Sequence, residues 1–298
     1  MKNFDVIIIG GSYAGLSAAM ALGRSLRNVL IVDSGKPCNR QTPHSHNFIT
    51  HDGKSPKEIS DLAKEQVLKY ETVKFHDGLV TKAFKTSESF EIETGNKEKF
   101  YAKKIILASG VKDKMPDIKG FAECWGISVI HCPYCHGYEV KGAVTGIMAN
   151  GDIAFDFTKL VFNLTKDLTL FTNGKSTLNE EQAEKFRQNK IDIIEEEIVE
   201  IVHENGQIQK VILKNNKEIS LEALYAKIPF EQNINADDLG IELNENGFIK
   251  ADMMMKTNIP GVFACGDNTT MMRSVANSIA QGNFAGAVVN KELSEESF

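Results

Sequence analysis

The sequence predicts an α/β protein made of two Rossmann-like dinucleotide-binding domains (three-layer ββα), the second inserted into the first. Three observations carry this reading. An apolar strand runs into a glycine-rich turn at the start of the chain, a second strand-turn-helix-strand unit begins near residue 143, and an apolar strand with a long helix closes the chain.

Residues 5–9 (DVIII) form the first strand, 10–15 the turn and 16–26 an alanine- and leucine-rich helix whose apolar positions recur every 3.6 residues or so. Residues 29–32 supply the next strand and complete the first unit. In the second unit, 143–148 read as strand, 153–164 as an amphipathic helix and 168–171 as strand. Strands follow at 191–196, 199–203 and 209–213, with Asn205-Gly206 as the hairpin turn between the last two. Strand 262–264 and a helix over 274–290 return the chain to the first domain. Pro, Gly and Asn collect at 116–120 and at 244–247, which places the crossings there. One discontinuous domain is then 1–116 with 245–298, and the other is 117–244.

The 298 residues suffice for about two domains. A hydrophobic share of 42% and a charged share of 25% match ordinary globular chains rather than disordered ones. A net charge of −6 with no basic cluster excludes a nucleic-acid-binding surface. The N-terminal residues enter the first strand without a signal-peptide pattern, and no apolar run reaches the roughly 18 residues of a membrane span. Five cysteines, an odd number, argue against a structural disulfide framework, so the reducing cytoplasm is the expected compartment.

Gly10, Ser12 and Gly15 occupy the three positions of a G-x-G-x-x-G fingerprint within Gly10-Gly11-Ser12-Tyr13-Ala14-Gly15. The first glycine permits the tight turn, a small residue in the middle lets a pyrophosphate approach the backbone, and the last allows close helix-strand packing. Asp33, followed by Ser34, closes the next strand about 20 residues on, where a carboxylate can accept ribose hydroxyls.

Residues 132–136 read Cys132-Pro133-Tyr134-Cys135-His136. Two cysteines at this spacing can close a small disulfide, and the local backbone can lower one thiol's pKa, so a redox dithiol is the leading reading. Half of a zinc site and two inert core thiols are the alternatives. The zinc reading lacks a second ligand pair despite His131 and His136 beside the motif, so no metal is expected. Cys38, Cys124 and Cys265 have no partner at useful spacing, and small buried hydrophobes are the expectation for the last two.

Residues 257–267 (TNIPGVFACGD), ending in Gly266-Asp267, and the strand exit Ala108-Ser109-Gly110 resemble the FAD-binding motifs of two-domain flavoprotein reductases. With the central CxxC, the chain resembles the low-molecular-weight thioredoxin reductases. The string His131-Cys132-Pro133-Tyr134-Cys135-His136-Gly137-Tyr138-Glu139 is closer to a branch that includes fungal dithiol oxidases acting on small cyclic disulfide metabolites. This resemblance implies FAD as cofactor. It places Asp267 on the ribityl and phosphate side, Arg273, Ser274 and Val275 near the isoalloxazine, and Arg40, Asn47 and Val80 along the flavin. It also implies that Cys135 faces the flavin and Cys132 the substrate. His136 stands where thioredoxin reductases carry an aspartate, and an imidazole suits acid-base work near neutral pH; Glu139 is the reserve candidate. His44, His46 and His51 lie in the same loop; polar lining of the flavin pocket or plain surface is the reading, with a metal trio as the alternative. A homodimer is the expected assembly.

Gly146-Ile147-Met148-Ala149-Asn150-Gly151 keeps the outer glycines of a second fingerprint but puts Met148 at its centre, where a long side chain would obstruct a pyrophosphate. Asp152 would repel a phosphate at the helix N-terminus. Phe171-Thr172-Asn173-Gly174-Lys175 offers neither the acidic residue expected for NAD nor the arginine pair for NADP. The resemblance implies NADPH; the local chemistry opposes it. The leading expectation is a disulfide reductase acting through Cys135 and Cys132 on a thioredoxin-like protein or a small-molecule disulfide. The alternatives are a dithiol oxidase or ferredoxin-driven reductase that does not use NADPH, and a non-catalytic flavoprotein redox sensor.

Overall fold

The computed structural model describes residues 3–234 and 239–298, and every candidate site residue lies among them. The chain opens with β1 (Asn3–Ile9), α1 (Tyr13–Arg24), β2 (Val29–Asp33), α2 (Pro56–Val67), β3 (Val73–Asp77), β4 (Val80–Lys85), β5 (Phe90–Thr94), β6 (Lys99–Leu107) and β7 (Val111–Asp113). There follow α3 (Phe121–Cys124), β8 (Val129–Ile130), α4 (Pro133–His136), β9 (Thr145–Met148), α5 (Gly151–Val161), β10 (Leu168–Phe171) and α6 (Glu180–Gln188). Next come β11 (Asp192–Ile194), β12 (Ile198–Glu204), β13 (Gln207–Leu213), β14 (Glu218–Ser220) and β15 (Ala223–Ala226). The chain ends with β16 (Phe230–Gln232), β17 (Val262–Ala264) and α7 (Val275–Ser297).

Two compact units result: Met1–Arg40 with Lys54–Lys112 and Phe230–Phe298, and Gln41–Gly53 with Asp113–Pro229. In the first, β1 lies between β2 and β6 in parallel register, Ile7 opposite Leu30 and Ile105, and β17 extends the parallel sheet beside β6. Strands β5 and β4 continue antiparallel from the other half of β6. Apolar residues fill both faces, Ile7, Ile9 and Ile105 on one and Val6, Ile8 and Ile106 on the other, because a parallel sheet is covered on both sides. Ser55 and Glu58 cap α2 reciprocally, with Pro56 at its first turn.

The second unit has a parallel sheet of order β11-β10-β9-β15-β8 and an antiparallel ribbon of β12, β13 and β14. The Asn205-Gly206 turn has φ of 51° and 81°, the positive pair that a two-residue hairpin demands. Both units therefore have the α/β architecture that the sequence predicts.

Several boundaries differ from expectation. Helix α1 begins at Tyr13, not 16, because the fingerprint residues already follow helical geometry and the Leu16 amide bonds Ser12 O at 2.8 Å. The second crossing falls at 229/230 rather than 244/245. Asn244–Gly247 is a tight turn inside the first unit, with the Gly247 amide on Asn244 O, and Ile234, Leu239, Ile241 and Ile249 join that unit's core. The first crossing falls at 112/113 rather than 116/117. Residues 41–53, expected with the first domain, belong to the second unit, where Gln41 donates to Ala122 O and Gly126 packs on Thr42. Among the described residues, no helix is long and apolar enough to cross a membrane.

Helices α1 and α7 meet through small residues. A Cβ on Gly282 would stand 2.0 Å from Ala14 O, and one on Gly286 2.6 Å from Ala18 O. Since the atoms met are backbone, relief requires the helix axes to part. Gly282→Ala is expected to cost about 1–3 kcal/mol, the usual overpacking range, and to lower Tm by several degrees. An unchanged thermal melt would show that the two helices adjust without strain.

Candidate active site

The first cluster gathers at the carboxyl ends of β1, β6 and β17. Gly10 follows β1 with φ of 107°, and a Cβ there would lie 2.2 Å from Ala108 O, so only glycine lets the turn cross the end of β6. A Cβ on Gly15 would meet Gly10 O at 1.8 Å. Ser12 caps α1 without a side-chain hydrogen bond, which leaves the helix N-terminus facing the glycine turn. Asp33 holds the turn, accepting from the Gly11 amide at 2.9 Å and from the Gly35 amide at 3.0 Å. Each carboxylate oxygen keeps a further acceptor site for a ribose hydroxyl.

On the neighbouring strand exits, Ser109 Oγ is buried without a hydrogen-bond partner and Gly110 has φ of 63° with open space around it. Gly266, at φ of 89°, donates its amide to Gln281 Oε1 at 2.8 Å. Asp267 receives Ser278 Oγ at 3.1 Å and stands 3.7 Å from Arg273 Nε and 3.8 Å from Cys38 Sγ. Ser274 caps α7 by accepting the Asn277 amide, and Val275 is that helix's first residue. A cradle that excludes Cβ atoms, an orphaned buried hydroxyl and an uncapped helix start fit a flavin dinucleotide.

The other expected flavin residues have these surroundings within their own units. Tyr13 is buried and bonds Pro56 O and Asn39, and Ala14 packs against α7 and Gly266. Val80 lies in the apolar core. Ser34 and Arg40 are exposed, with Arg40 Nη1 on Pro37 O. Asn47 is exposed in the second unit with φ of 58°, its amide on Asp52 Oδ1 at 2.7 Å.

The dithiol lies where β8 gives way to α4. Cys132 is the N-cap residue and Cys135 sits one turn on, their sulfurs 2.9 Å apart. Pro133 at the first helical position fixes the turn, and the amides of Cys135 and His136 bond Cys132 O. The Cys132 thiol is pulled down to about 6, chiefly by the hydrogen bond from Cys135, then by the amides of Cys135 and Tyr134 and the charge of Lys227. Burial opposes this shift and loses. Cys124 and Cys265 behave as buried hydrophobes whose thiols burial pushes up, to about 11 and about 12.

His136, the last residue of α4, has its pKa lowered by burial and by the neighbouring charge of His46, with Glu139 pulling the other way. It is a neutral base at pH 7. His46 lies edge-on to His136, ring centroids 6.3 Å apart, with Nε2 3.5 Å from Glu139 and Nδ1 3.5 Å from Asp52. No local pattern signals this placement, because the two rings come from distant stretches of chain. Tyr225 is the other unforeseen neighbour. It is fully buried on β15, its hydroxyl has no hydrogen-bond partner, and its ionisation is suppressed by burial and by the charges of Cys132 and Glu139. Among the described residues, no group of three acidic, His or Cys side chains could hold a metal.

The second fingerprint has a different register from the one read in the sequence. Strand β9 ends at Met148, which is buried in the core opposite Phe171 and Ala226, and Gly146 lies mid-strand against Leu221, Leu224 and Phe171. By analogy with Gly10, Ser12 and Gly15 after β1, the turn positions are Ala149, Gly151 and Ala154. Met148 therefore obstructs nothing at the helix start. Instead Asn150 fills that space: its Oδ1 accepts from the Gly151 amide at 2.8 Å, the Thr177 amide at 2.9 Å and Thr177 Oγ1 at 3.1 Å. Its Nδ2 donates to Lys175 O at 2.9 Å, and a Cβ on Gly151 would meet Thr177 Oγ1 at 2.7 Å. Asp152 is tied to Gln182 Nε2 at 2.6 Å. These residues do not fit a nicotinamide dinucleotide, because the phosphate position is taken by the chain's own loop.

The family model for pyridine nucleotide-disulphide oxidoreductases matches residues 4–282. Thioredoxin reductase tcpT of Claviceps purpurea is 33% identical over 97% of this chain and 94% of its own length. Among solved structures, an oxidoreductase from Agrobacterium tumefaciens is 36% identical, covers 99% of both chains and superposes with a TM-score of 0.92. TrxB from Bacillus anthracis is 31% identical over 99% of this chain and all of its own, with a TM-score of 0.94. The glycine cradle, the CxxC at a helix start and the matched length agree: the chain belongs to the pyridine nucleotide-disulphide oxidoreductases and is an FAD oxidoreductase of the thioredoxin reductase-like group.

Proposed function

We propose that the chain is an FAD-dependent dithiol-disulfide oxidoreductase that exchanges two electrons with an external sulfur substrate through Cys132 and Cys135. The observation that carries this reading is the dithiol itself, with sulfurs 2.9 Å apart and the Cys132 thiol held near 6, so that a thiolate is present at neutral pH. Cys132 is the nucleophile toward the substrate, Cys135 is its partner toward the flavin, and His136 accepts and returns the thiol protons. FAD, bound by Gly10, Gly15, Asp33, Ser109 and Asp267, supplies the two-electron acceptor. The substrate is a thioredoxin-like protein or a small-molecule disulfide or dithiol, a choice supported by relatives named thioredoxin reductase.

A second reading concerns direction. The closed turn at Asn150, Gly151 and Thr177 favours a chain that takes electrons from a dithiol and gives them to oxygen over one that takes them from NADPH. Anaerobic titration of the flavin protein separates the two. Bleaching by dithiothreitol with an apparent constant for NADPH at or above about 1 mM is expected, and micromolar NADPH saturation would overturn it. Asn150→Gly with Thr177→Ala is expected to lower that constant by opening the helix start.

The thiolate assignment is checked by iodoacetamide alkylation against pH. The rate at Cys132 is expected to rise with a midpoint near 6 and level off by neutral pH, whereas an ordinary thiol titrates near 8.5 or so. Cys135→Ala removes the largest cause of the shift and should move the midpoint upward. A midpoint that stays above 8 in the parent protein would remove Cys132 from the nucleophile's role. Separately, Asp267→Ala is expected to weaken flavin retention, measured as FAD released on dilution; full retention would place the cofactor elsewhere.

A further inference from the structure

The thiol protons need a route. With Cys132 already a thiolate, oxidising the dithiol would break the Cys135 S–H bond, form one S–S bond and release two electrons, for which bound FAD would be the acceptor; passing them to oxygen would consume two protons and give hydrogen peroxide. The Cys135 proton leaves a half-buried pair of sulfurs and returns on each cycle. His136 is adjacent to Cys135 in the chain and is itself half-buried.

Beyond His136 stands His46, brought there by the 41–53 loop. Both its ring nitrogens face carboxylates, Nδ1 toward Asp52 and Nε2 toward Glu139, each at 3.5 Å. Its side chain is 20% exposed while Asp52 is 65% and Glu139 39% exposed, so the ring stands between the half-buried His136 and two acids in contact with water. The loop is anchored by its own hydrogen bonds: Asp52 Oδ1 also holds the Asn47 amide, the Gly53 amide bonds Ser45 O, and His44 Nδ1 lies 3.0 Å from Gly53 O. The titratable groups that face His46 are Asp52 and His44 from its own loop, His136 from α4, and Glu139 from the turn after α4. Rings 6.3 Å apart and nearly perpendicular are one water or one ring rotation from a hydrogen-bonded path.

We infer that His46 is a positioning residue that relays protons between His136 and solvent, oriented by Asp52 and Glu139. The inference rests on the dithiol-flavin reading above. An imidazole with a carboxylate at each ring nitrogen is held in one orientation, with both nitrogens aimed at proton acceptors. Each carboxylate faces one nitrogen, so either nitrogen can carry the moving proton.

The test follows flavin reduction by dithiothreitol in stopped flow from pH 6 to 9, in the FAD-loaded parent, His46→Gln and His46→Phe. Both variants are expected to be slower by about tenfold or more, with added imidazole restoring much of the rate to His46→Phe. A second readout needs no turnover. His136, followed by proton NMR of its ring, should titrate at higher pH in His46→Gln, because a neighbouring positive charge that lowers its pKa is gone. Glu139→Gln should move it lower, since that carboxylate raises it. Parent-like rates and pH profiles in both His46 variants, with no response to imidazole, would overturn the relay while leaving the dithiol reading intact. A parent flavin that dithiothreitol cannot reduce would remove both.

Discussion

The structure depends on backbone passing against backbone where β1 turns into α1. Gly10 crosses Ala108 O, and Gly15 sits on Gly10 O, at distances that no Cβ tolerates. That contact brings the exits of β1, β6 and β17 side by side and leaves the start of α1 without a side-chain cap. The partial positive charge of the helix start then faces that spot. Helix α7 repeats the device through Gly282 and Gly286 against α1, which keeps Asp267 and Arg273 close to the same edge.

The second unit has the same sheet-and-helix plan but resolves its turn differently. Ala149 stands where Gly10 stands in the first unit, and the positive φ moves to Gly151 at 57°. The amides at the start of α5, which a phosphate would neutralise, are met by an asparagine side chain that also gathers Thr177 and Lys175. A neutral carboxamide does this without importing charge, and it ties the 172–177 loop across the opening. The same architecture thus leaves the helix start without a side-chain cap in one unit and closes it with Asn150 and the loop it holds in the other.

At the dithiol, competing effects are weighed within a few ångströms. Burial alone would raise the Cys132 thiol, as it does for Cys124 and Cys265. The Cys135 hydrogen bond, the amides at the start of α4 and Lys227 outweigh it. Burial acts in the opposite sense on His136, lowering its pKa and keeping it a free base. One short segment thus carries a thiol and an imidazole that are both shifted downward, by different causes.

The sequence by itself determined the α/β class, the insertion of one unit in the other, the glycine turn with Asp33, and the CxxC. These are written in local periods and short spacings, where a strand, a tight turn and a helix start are each set by neighbours in the chain. The Asn205-Gly206 hairpin and strands β10 and β17 were legible residue for residue for the same reason. Only the tertiary structure decided the rest. Met148 could be assigned to a turn or to a strand end until the pairing of β9 with β10 and β15 fixed its register and buried it. Asn244–Gly247 carried the signature of a domain crossing but closes a turn within one unit, because the core residues on both sides of it, not the turn itself, set the boundary. His46 meets His136, Tyr225 approaches Cys132 and Asn150 meets Thr177 across long stretches of chain. Such contacts depend on strand order and loop path, which a one-dimensional pattern does not encode.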